Sequence, residues 1–319
     1  MCGLFGFSSY DEQPVKELSK LTNSLAKQSA IRGTDATGIA YTRSGYITIQ
    51  KDAKAADKME FKHPDDIKSV IGHTRHSTQG SEKKNYNNHP FLSNKIKNAR
   101  FALAHNGVLW NDDELKIKYR LPKTKIETDS FVAVQLIEYK RKLDADSIKF
   151  MAEQVDGSFS FSILDDKNNL YLVKGDSPLS ILHFPRLKMY VYASTDEILY
   201  RALINTNLLS EIKRKNYEEI VLKEGEILKI KPDGATEKTE FDFCRSYYNK
   251  NWWDYGFYRP YQMSIKSSKQ SENAARQAYI EELEYAAMCQ GIDLKVVGEL
   301  IKENFTLEEI EEYLYEGIY

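Results

Sequence analysis

The apolar positions at the start of the chain follow first a strand pattern and then a helix pattern. Residues 2–9 form a nearly continuous apolar segment, which predicts a buried strand, and the apolar residues of 14–27 recur at the helical spacing. Two short strand-like segments, 38–42 and 46–51, flank Arg43-Ser44-Gly45 and predict a β-hairpin. The chain is therefore expected to open with a strand, a helix and a hairpin.

The middle of the chain predicts two amphipathic helices. The first covers residues 129–141, with Thr128 as its N-cap. The second has Asp146 or Ser147 as its cap and ends near Val155. Each helix has an apolar stripe, which needs a sheet or another helix to cover it.

The remaining predicted strands are short and separated by turn-forming Asp, Asn, Gly and Pro residues. They lie at 69–74, 100–105, 158–164, 170–174, 179–183, 189–193, 219–222 and 226–230, and a helix is predicted over 197–204. The four strands after Asp156-Gly157 are expected to form a meander. Strands in two groups with amphipathic helices outside them predict an α+β fold, in which two stacked sheets are covered by helices.

The composition of the chain changes near Phe243. A run of Tyr, Trp and Phe is followed by a polar stretch, which we interpret as an aromatic strap and a linker. Three helices are then predicted, over 274–290, 294–304 and 307–315. The predicted parts of the chain are a domain over 2–240, the strap and linker over 241–272, and a small helical tail over 273–319.

Length, charge and cysteine content exclude several classes of protein. The chain has 319 residues and a formal net charge of −2, which argues against a dedicated nucleic-acid binder because the chain has no strong positive field. Cys2, Cys244 and Cys289 are few, odd in number and far apart, so neither a disulfide framework nor a cysteine-based zinc site is predicted. No segment approaches the ~20 apolar residues of a membrane span. A soluble, cytoplasmic protein without membrane contacts is expected.

Cys2 directly follows the initiator Met1. If Met1 is removed, residue 2 carries both a thiol, with a pKa near ~8.5, and an α-amino group, with a pKa near ~7.7–8.0. The amine, directly or through a water, can then take the thiol proton, so that a nucleophile and its base share one residue. The alternative is that Cys2 is a small apolar residue that starts a buried strand.

Four further segments carry side chains suited to such chemistry. They are Arg32-Gly33-Thr34-Asp35-Ala36-Thr37-Gly38, Gly72-His73-Thr74-Arg75-His76-Ser77-Thr78-Gln79-Gly80, His105-Asn106-Gly107 and Glu127-Thr128-Asp129. Their ordinary interpretations are, in order, a polar turn, a surface salt bridge, a tight turn and a pair of helix caps. Their functional interpretations are a close main-chain approach to a ligand, bidentate binding of a carboxylate, an oxyanion hole and binding of an ammonium group.

Taken together, these segments resemble the class II glutamine amidotransferase domain of the N-terminal nucleophile hydrolase superfamily. The resemblance lies in Cys2-Gly3, Arg32-Gly33-x-Asp35-x-x-Gly38, Gly72-His73-Thr74-Arg75-x-x-Thr78-x-Gly80, His105-Asn106-Gly107 and Thr128-Asp129, which follow the family's order. It covers about residues 2–230 and includes Asp156-Gly157-Ser158-Phe159. It implies a four-layer αββα sandwich, to which this chain adds a C-terminal helical extension.

The resemblance implies a role for each matching side chain. Cys2 would attack the side-chain amide of L-glutamine, release ammonia and leave a glutamyl thioester, which water then hydrolyses. Asn106 and Gly107 would form the oxyanion hole. Arg75 would bind the α-carboxylate of glutamine and Asp129 its α-ammonium group, because a zwitterion needs one cation and one anion at a fixed separation.

Two further positions have implied roles around these groups. Thr78 would lie beside the substrate carboxylate, and Arg32 would support the surroundings of the nucleophile. His76-Ser77 and Gln79 depart from the residues that many relatives carry. His73 and His76 also have a metal-site spacing, but a His-x-x-His pair without further ligands does not predict one. No metal and no cofactor are expected.

The acceptor of the ammonia is not recognisable in the sequence. No glycine-rich phosphate loop is present, so the expected partners are L-glutamine and a separate synthase subunit. The alternatives are a stand-alone amidase acting on a glutamine-like or γ-glutamyl substrate, and a regulatory binding protein that keeps the fold without turnover. The helical tail is expected to cover its own domain, to form a homo-oligomer or to dock on the synthase.

Overall fold

The computed structural model describes residues 2–12, 17–204, 206, 208–243, 280, 295–303, 305–306 and 310. Contacts between residues divide the chain into two units, residues 1–249 and 250–319. The sheets and the motifs around Cys2 belong to the first unit, and one described helix belongs to the second. The finer three-part organisation, with boundaries near 240 and 272, stays a prediction.

Thirteen strands are present in the described part of the chain. They are β1 (Gly3–Ser9), β2 (Ala36–Arg43), β3 (Tyr46–Asp52), β4 (Ser69–Arg75), β5 (Phe91–Ile96), β6 (Ala99–Leu109), β7 (Gly157–Asp165), β8 (Leu170–Lys174), β9 (Ser180–Phe184), β10 (Met189–Ala193), β11 (Glu218–Glu219), β12 (Glu226–Ile230) and β13 (Thr236–Glu240). Sheet A has the order β11-β9-β10-β1-β4-β2-β3, and sheet B has the order β13-β12-β8-β7-β6-β5. All neighbouring strands are antiparallel.

The helices seen in the described segments are short. They are α1 (Leu18–Ser29), α2 (Asp112–Lys118), α3 (Phe131–Tyr139), α4 (Ala145–Gln154), α5 (Asp196–Ile204), α6 (Leu209–Lys213) and α7 (Lys295–Lys302). Single 3₁₀ turns occur at Ala30–Arg32, Ala56–Lys58, Asn85–Asn87 and Pro185–Leu187. Within the residues described, no helix has the length and apolar character needed to cross a bilayer.

Three buried apolar clusters separate four layers. One cluster joins α1 and α5 to sheet A, the next lies between the two sheets, and the third joins sheet B to α3 and α4. In β1, Phe5 and Phe7 belong to the first cluster and Leu4 to the second, because successive side chains of a strand point to opposite faces. Full burial of each such side chain contributes roughly 1.5–3 kcal/mol. The order helix, sheet, sheet, helix confirms the predicted four-layer α+β sandwich.

The predicted hairpin is present as β2 and β3. Ser44 and Gly45 at its tip both have positive φ, 51° and 77°, which is the backbone of a two-residue turn that matches the twist of the flanking strands. Arg43 pairs with Tyr46 directly beside the turn.

Two strand predictions are wrong in ways that change the topology. The predicted meander does not exist, because β7 and β8 belong to sheet B whereas β9 and β10 belong to sheet A. The strand expected to end at His105 continues to Leu109, so Asn106-Gly107 lies inside β6 and is not a tight turn. Strands β5 and β13 and helices α2 and α6 were not predicted.

The helix caps also differ from the prediction. Thr128 does not cap α3, because this helix begins at Phe131 with Ser130 as its N-cap residue. Asp144 caps α4: its side chain accepts a hydrogen bond from the Ser147 N–H, and the Ser147 side chain accepts one from the Asp144 N–H. Apart from residues 241–243, 280 and 310, the predicted strap and linker over 241–272 and the predicted helices over 274–290 and 307–315 lie outside the described residues. Helix α7 falls within the predicted helix over 294–304.

We predict that Asp144→Ala lowers the free energy of unfolding by about 1 kcal/mol, because the Ser147 N–H loses its acceptor at the start of α4. Thermal denaturation followed by circular dichroism should show the melting temperature falling by about 2–4 °C. Asp146→Ala is the matched control, since Asp146 is an exposed acid in the same first turn. An equal or larger loss in the control would contradict the capping role.

Candidate active site

Cys2 lies directly before β1, beside the end of β4. Gly3, the next residue, pairs with Thr74 in the ladder between these strands. The Sγ atom of Cys2 lies 3.5 Å from the backbone nitrogen of His76, which donates to it, and 3.5 Å from the His76 carbonyl oxygen, which accepts from the thiol. The side chain is half-buried. The thiol is therefore held where two neighbouring strands of sheet A come to the same edge.

The electrostatic surroundings of Cys2 do not favour a free thiolate. Burial raises the pKa of the Cys2 thiol, the His76 N–H and the Arg75 charge lower it, and the Asp129 charge raises it, with a net upward shift. The thiol is therefore mostly protonated at neutral pH, and chemistry at the sulfur needs a base. Arg75 and Asp129 both lie close enough to influence the sulfur.

The motif that begins at Arg32 forms a backbone support for this corner. Arg32 Nε donates to the Cys2 carbonyl oxygen at 2.7 Å. A Cβ atom on Gly33 would lie 2.4 Å from the Arg75 carbonyl carbon, so a larger residue would push the two segments apart. Asp35 N–H donates to the Arg75 carbonyl oxygen at 3.0 Å. The motif thus fixes the main chain on both sides of the thiol.

Arg75 ends β4 and is 3% exposed. Its Nη1 donates to Asn88 Oδ1 at 2.7 Å, and its Nη2 donates to the carbonyl oxygens of Gln79 and Gly80, each at 2.6 Å. These bonds use three of the five N–H donors of the guanidinium. Burial lowers the pKa of Arg75, but an arginine stays protonated in proteins. Arg75 therefore orders the segment 76–80, called the 76–80 loop below.

The 76–80 loop also contains Thr78, whose side chain is exposed. The loop is held at its start by Asp35, whose Oδ2 accepts from the Ser77 N–H at 2.7 Å. The structure thus brings the loop of Thr78 beside Arg75. Among the described residues, no hydrogen bond joins the side chain of Thr78 to that of Arg75.

Asn106 and Gly107 occupy a distorted stretch of β6. Gly107 has a φ of 135°, and a Cβ atom there would lie 1.9 Å from the Ser158 carbonyl oxygen, so only glycine fits. Asn106 is 2% exposed, and its Nδ2 meets no hydrogen-bond acceptor among the described residues. A buried donor without an acceptor costs about 1–3 kcal/mol. Such a group calls for an explanation, and a bound ligand is one.

Asp129 lies immediately before α3 and is also buried. Its Oδ2 accepts from the Leu109 N–H at 2.7 Å, and its Oδ1 lies 3.3 Å from Ser130 Oγ. The neighbouring Thr128 Oγ1 is a buried hydroxyl with no hydrogen-bond partner among the described residues. The segment 128–130 therefore offers a carboxylate and a free hydroxyl in a buried position.

The sequence analysis did not predict the polar group beside Arg75, which consists of Lys51 and Asn88. Lys51 Nζ donates to the carbonyl oxygens of Asn88 and Pro90, and burial lowers the pKa of Lys51 to about 8. Asn88, in turn, accepts from Arg75. The only signal in the sequence was the run of polar residues before Pro90, which no motif assigned to a site.

His73 connects the two sheets. Its Nε2 donates to the His105 carbonyl oxygen at 2.9 Å, and its ring packs against His89 with centroids 4.2 Å apart. Burial lowers the pKa of His73 to about 3, so its ring is neutral and Nε2 carries the proton that is donated. His73 is buried and His76 is exposed, and the described residues include no group of three or more metal-binding side chains.

A cavity of about 690 Å³ lies between α1 and the turn Ala56–Lys58. Its lining includes Lys20, Lys27 and Lys58 but none of the side chains around Cys2. This cavity is therefore separate from the candidate site.

Comparisons with known proteins agree with the motifs. A family model described as a glutamine amidotransferase domain matches residues 73–201. The chain is 34% identical over 248 residues to the glutamine–fructose-6-phosphate aminotransferase (isomerizing) of Staphylococcus aureus, and this match covers 73% of the chain and 38% of that relative. The protein of the same name from Staphylococcus epidermidis is 36% identical over 191 residues, 57% of this chain and 30% of the relative. The chain thus spans less than two fifths of the length of these curated relatives.

Solved structures share the fold. The glutamine phosphoribosylpyrophosphate amidotransferase of B. subtilis superposes with a TM-score of 0.58 and 24% identity, covering 76% of this chain and 50% of that chain. A structure described as the allosteric regulatory enzyme of purine biosynthesis has a TM-score of 0.60 and 23% identity, with the same coverage. Together with the sequence relatives and the sandwich around Cys2, these likenesses show that the chain contains a glutamine amidotransferase domain of class II, the N-terminal nucleophile type.

Proposed function

We propose that this chain hydrolyses the side-chain amide of L-glutamine through a thioester on Cys2 and that the ammonia passes to an acceptor on a separate synthase. The buried Nδ2 of Asn106 carries the proposal. Attack on an amide carbonyl places negative charge on its oxygen, and this oxyanion would be the acceptor that Nδ2 lacks. Gly107 would supply the second donor through its backbone N–H.

The raised pKa of Cys2 determines how the reaction would start. Once Met1 is removed, the α-amino group of Cys2 takes the thiol proton, and the sulfur bonds to the amide carbon of glutamine. The same amine then gives a proton to the departing nitrogen, so the C–N bond breaks and ammonia leaves. Water, deprotonated by the amine, attacks the thioester, and glutamate leaves as the thiol is restored.

Recognition of glutamine rests on charges that surround Cys2. Arg75 would bind the α-carboxylate with the N–H donors that Asn88 and the 76–80 loop do not use, and Thr78 would lie beside that carboxylate. Asp129 would bind the α-ammonium group, with the free hydroxyl of Thr128 as a further acceptor. Arg32 would hold the backbone of Cys2. Both ends of a free amino acid would thus be paired inside the protein.

These contacts weigh against a regulatory protein without turnover, which needs neither the thiol of Cys2 nor the unpaired buried donor of Asn106. A stand-alone amidase acting on γ-glutamyl substrates would use the same cation and anion, because a γ-glutamyl group keeps its α-carboxylate and its α-ammonium group. The place of the acceptor on a separate synthase stays a prediction. A homo-oligomer, docking by the helical tail and a cytoplasmic location stay predictions.

We expect Cys2→Ala to lower the rate of ammonia release from glutamine by about a thousandfold or more, because no other group forms the thioester. The assay uses protein whose intact mass shows that Met1 has been removed. Cys289→Ser is the control, since this cysteine has no part in the mechanism. Residual activity of Cys2→Ala near that of the unmodified chain would rule out the thioester.

In protein that retains Met1, we expect the Cys2 thiol to become reactive at a higher pH than an ordinary cysteine thiol. Because its pKa is raised, the thiolate fraction is small at pH 7 and grows as the pH passes above the usual thiol value of about 8.5. Alkylation by iodoacetamide, followed at the Cys2 peptide by mass spectrometry, measures this. A short unstructured peptide with the same first residues is the reference, and a protein midpoint at or below that of the peptide would contradict the burial effect.

We expect Arg75→Lys to raise the KM for glutamine by about 10- to 100-fold, because lysine keeps the charge but loses the planar fork. Steady-state ammonia release at varied glutamine concentration measures the change. Arg43→Lys is the matched control: Arg43 is an exposed arginine at the end of β2, where it pairs with Asp66. An unchanged KM in Arg75→Lys would remove Arg75 from substrate recognition.

A further inference from the structure

Two consecutive residues hold both ends of the segment that contains Asn106 and Gly107. At one end, the Leu109 N–H donates to Asp129 Oδ2 at 2.7 Å. At the other end, His105 Nδ1 lies 2.8 Å from Ser130 Oγ. The five-residue stretch 105–109 is therefore bracketed by side chains from the segment that precedes α3.

The Ser130 hydroxyl bridges two groups. Its Oγ is 2.8 Å from His105 Nδ1 and 3.3 Å from Asp129 Oδ1. A hydroxyl has one proton, so it either donates to the ring nitrogen or accepts from it and donates to the carboxylate. In both arrangements the bond between Ser130 and His105 is kept. The histidine ring is further stacked on Phe161, with centroids 4.7 Å apart.

The stretch needs such support because its backbone is irregular. Gly107 has a φ of 135°, and Gly157 on the paired strand β7, opposite Leu109, has a φ of 139°. Glycine inside a strand weakens it, since it has no side chain to pack. The pairing of β6 with β7 is continuous through Asn106, but the backbone at Gly107 has an unusual conformation. The side-chain hydrogen bonds at both ends of the stretch therefore help to fix its position.

A third hydrogen bond connects His105 to sheet A, the sheet that follows Cys2. His73 donates to the His105 carbonyl oxygen at 2.9 Å, and His73 pairs with Leu4 of β1, two residues after Cys2. The main chain of His105 is therefore fixed from sheet A, while its ring is fixed by Ser130. The residue that follows it is Asn106.

We propose that Ser130 is a positioning residue, which holds His105 and thereby places the Asn106 amide opposite Cys2. The inference rests on the proposed function, since it assigns Asn106 to an oxyanion hole. If the Asn106 amide is displaced, the protein still binds glutamine, but the oxyanion hole stabilises the transition state less well. The displacement therefore lowers kcat rather than raising KM. A misplacement of about 1 Å can cost 10²-fold in rate.

The test compares Ser130→Ala with Ser130→Thr in the full chain, by steady-state ammonia release from glutamine. Ser130→Ala should lower kcat by about tenfold or more and change KM by less than about threefold, because an interaction made in the transition state is lost. Ser130→Thr keeps the hydroxyl and should restore most of kcat. Ser130→Val has the shape of threonine without the hydroxyl. If the alanine variant is unstable, the ratio of kcat between Ser130→Thr and Ser130→Val measures the effect of the hydroxyl at a matched side-chain volume.

Ser8→Ala is the matched control. Ser8 is a buried serine near the far end of β1, where its Oγ lies 3.0 Å from Ser69 Oγ. The Ser8→Ala variant also loses a serine hydroxyl and one hydrogen bond, and we expect its kcat to be unchanged.

The inference is overturned if Ser130→Ala keeps its kcat, if only KM changes, if Ser8→Ala loses as much, or if the Thr and Val variants have equal kcat. In each case the unmodified chain still hydrolyses glutamine and the proposed function stands. If the unmodified chain, freed of Met1, releases no ammonia from glutamine, the proposed function fails and the inference fails with it.

Discussion

The packing of sheet A against sheet B is the constraint on which the site depends, because the thiol and the Asn106 amide belong to different sheets. Cys2 precedes β1 in sheet A, and Asn106 lies in β6 of sheet B. The apolar cluster between the sheets sets their separation, and the bond from His73 to His105 sets their relative position at the site. A change in this cluster would therefore shift Cys2 and Asn106, the two halves of the proposed site, relative to each other without contacting either residue.

Burial determines which groups near the thiol carry charge. Desolvation lowers the pKa of His73, His89 and His105, so these rings are neutral and serve as hydrogen-bonding and packing groups. Arg75 keeps its charge, and Lys51 beside it titrates near pH 8. At neutral pH the positive charge near the thiol is thus carried by Arg75 and Lys51 rather than by the histidines. The anionic counterpart is Asp129.

Local patterns predicted most strands but not the sheets to which they belong. Residues 170–174, 189–193 and 226–230 were predicted with the observed bounds, since period and turn residues are local signals. Sheet membership depends on pairs such as Phe5 with Ala193, which no local pattern encodes. For the site, the motifs contained Cys2, Arg75 and Asn106, whereas Ser130 was missed because its role arises from contacts made only after folding.

The position of β1 between β4 and β10 has a consequence for the order of events during synthesis. Residues 189–193, which pair with β1, leave the ribosome long after the amino terminus. At 5–20 residues per second, the interval for about 190 residues is roughly 10–40 s. During this time one edge of β1 has no partner strand, so the amino terminus is less enclosed than in the folded domain. The topology thus leaves an interval in which the removal of Met1 that the proposed mechanism requires could take place.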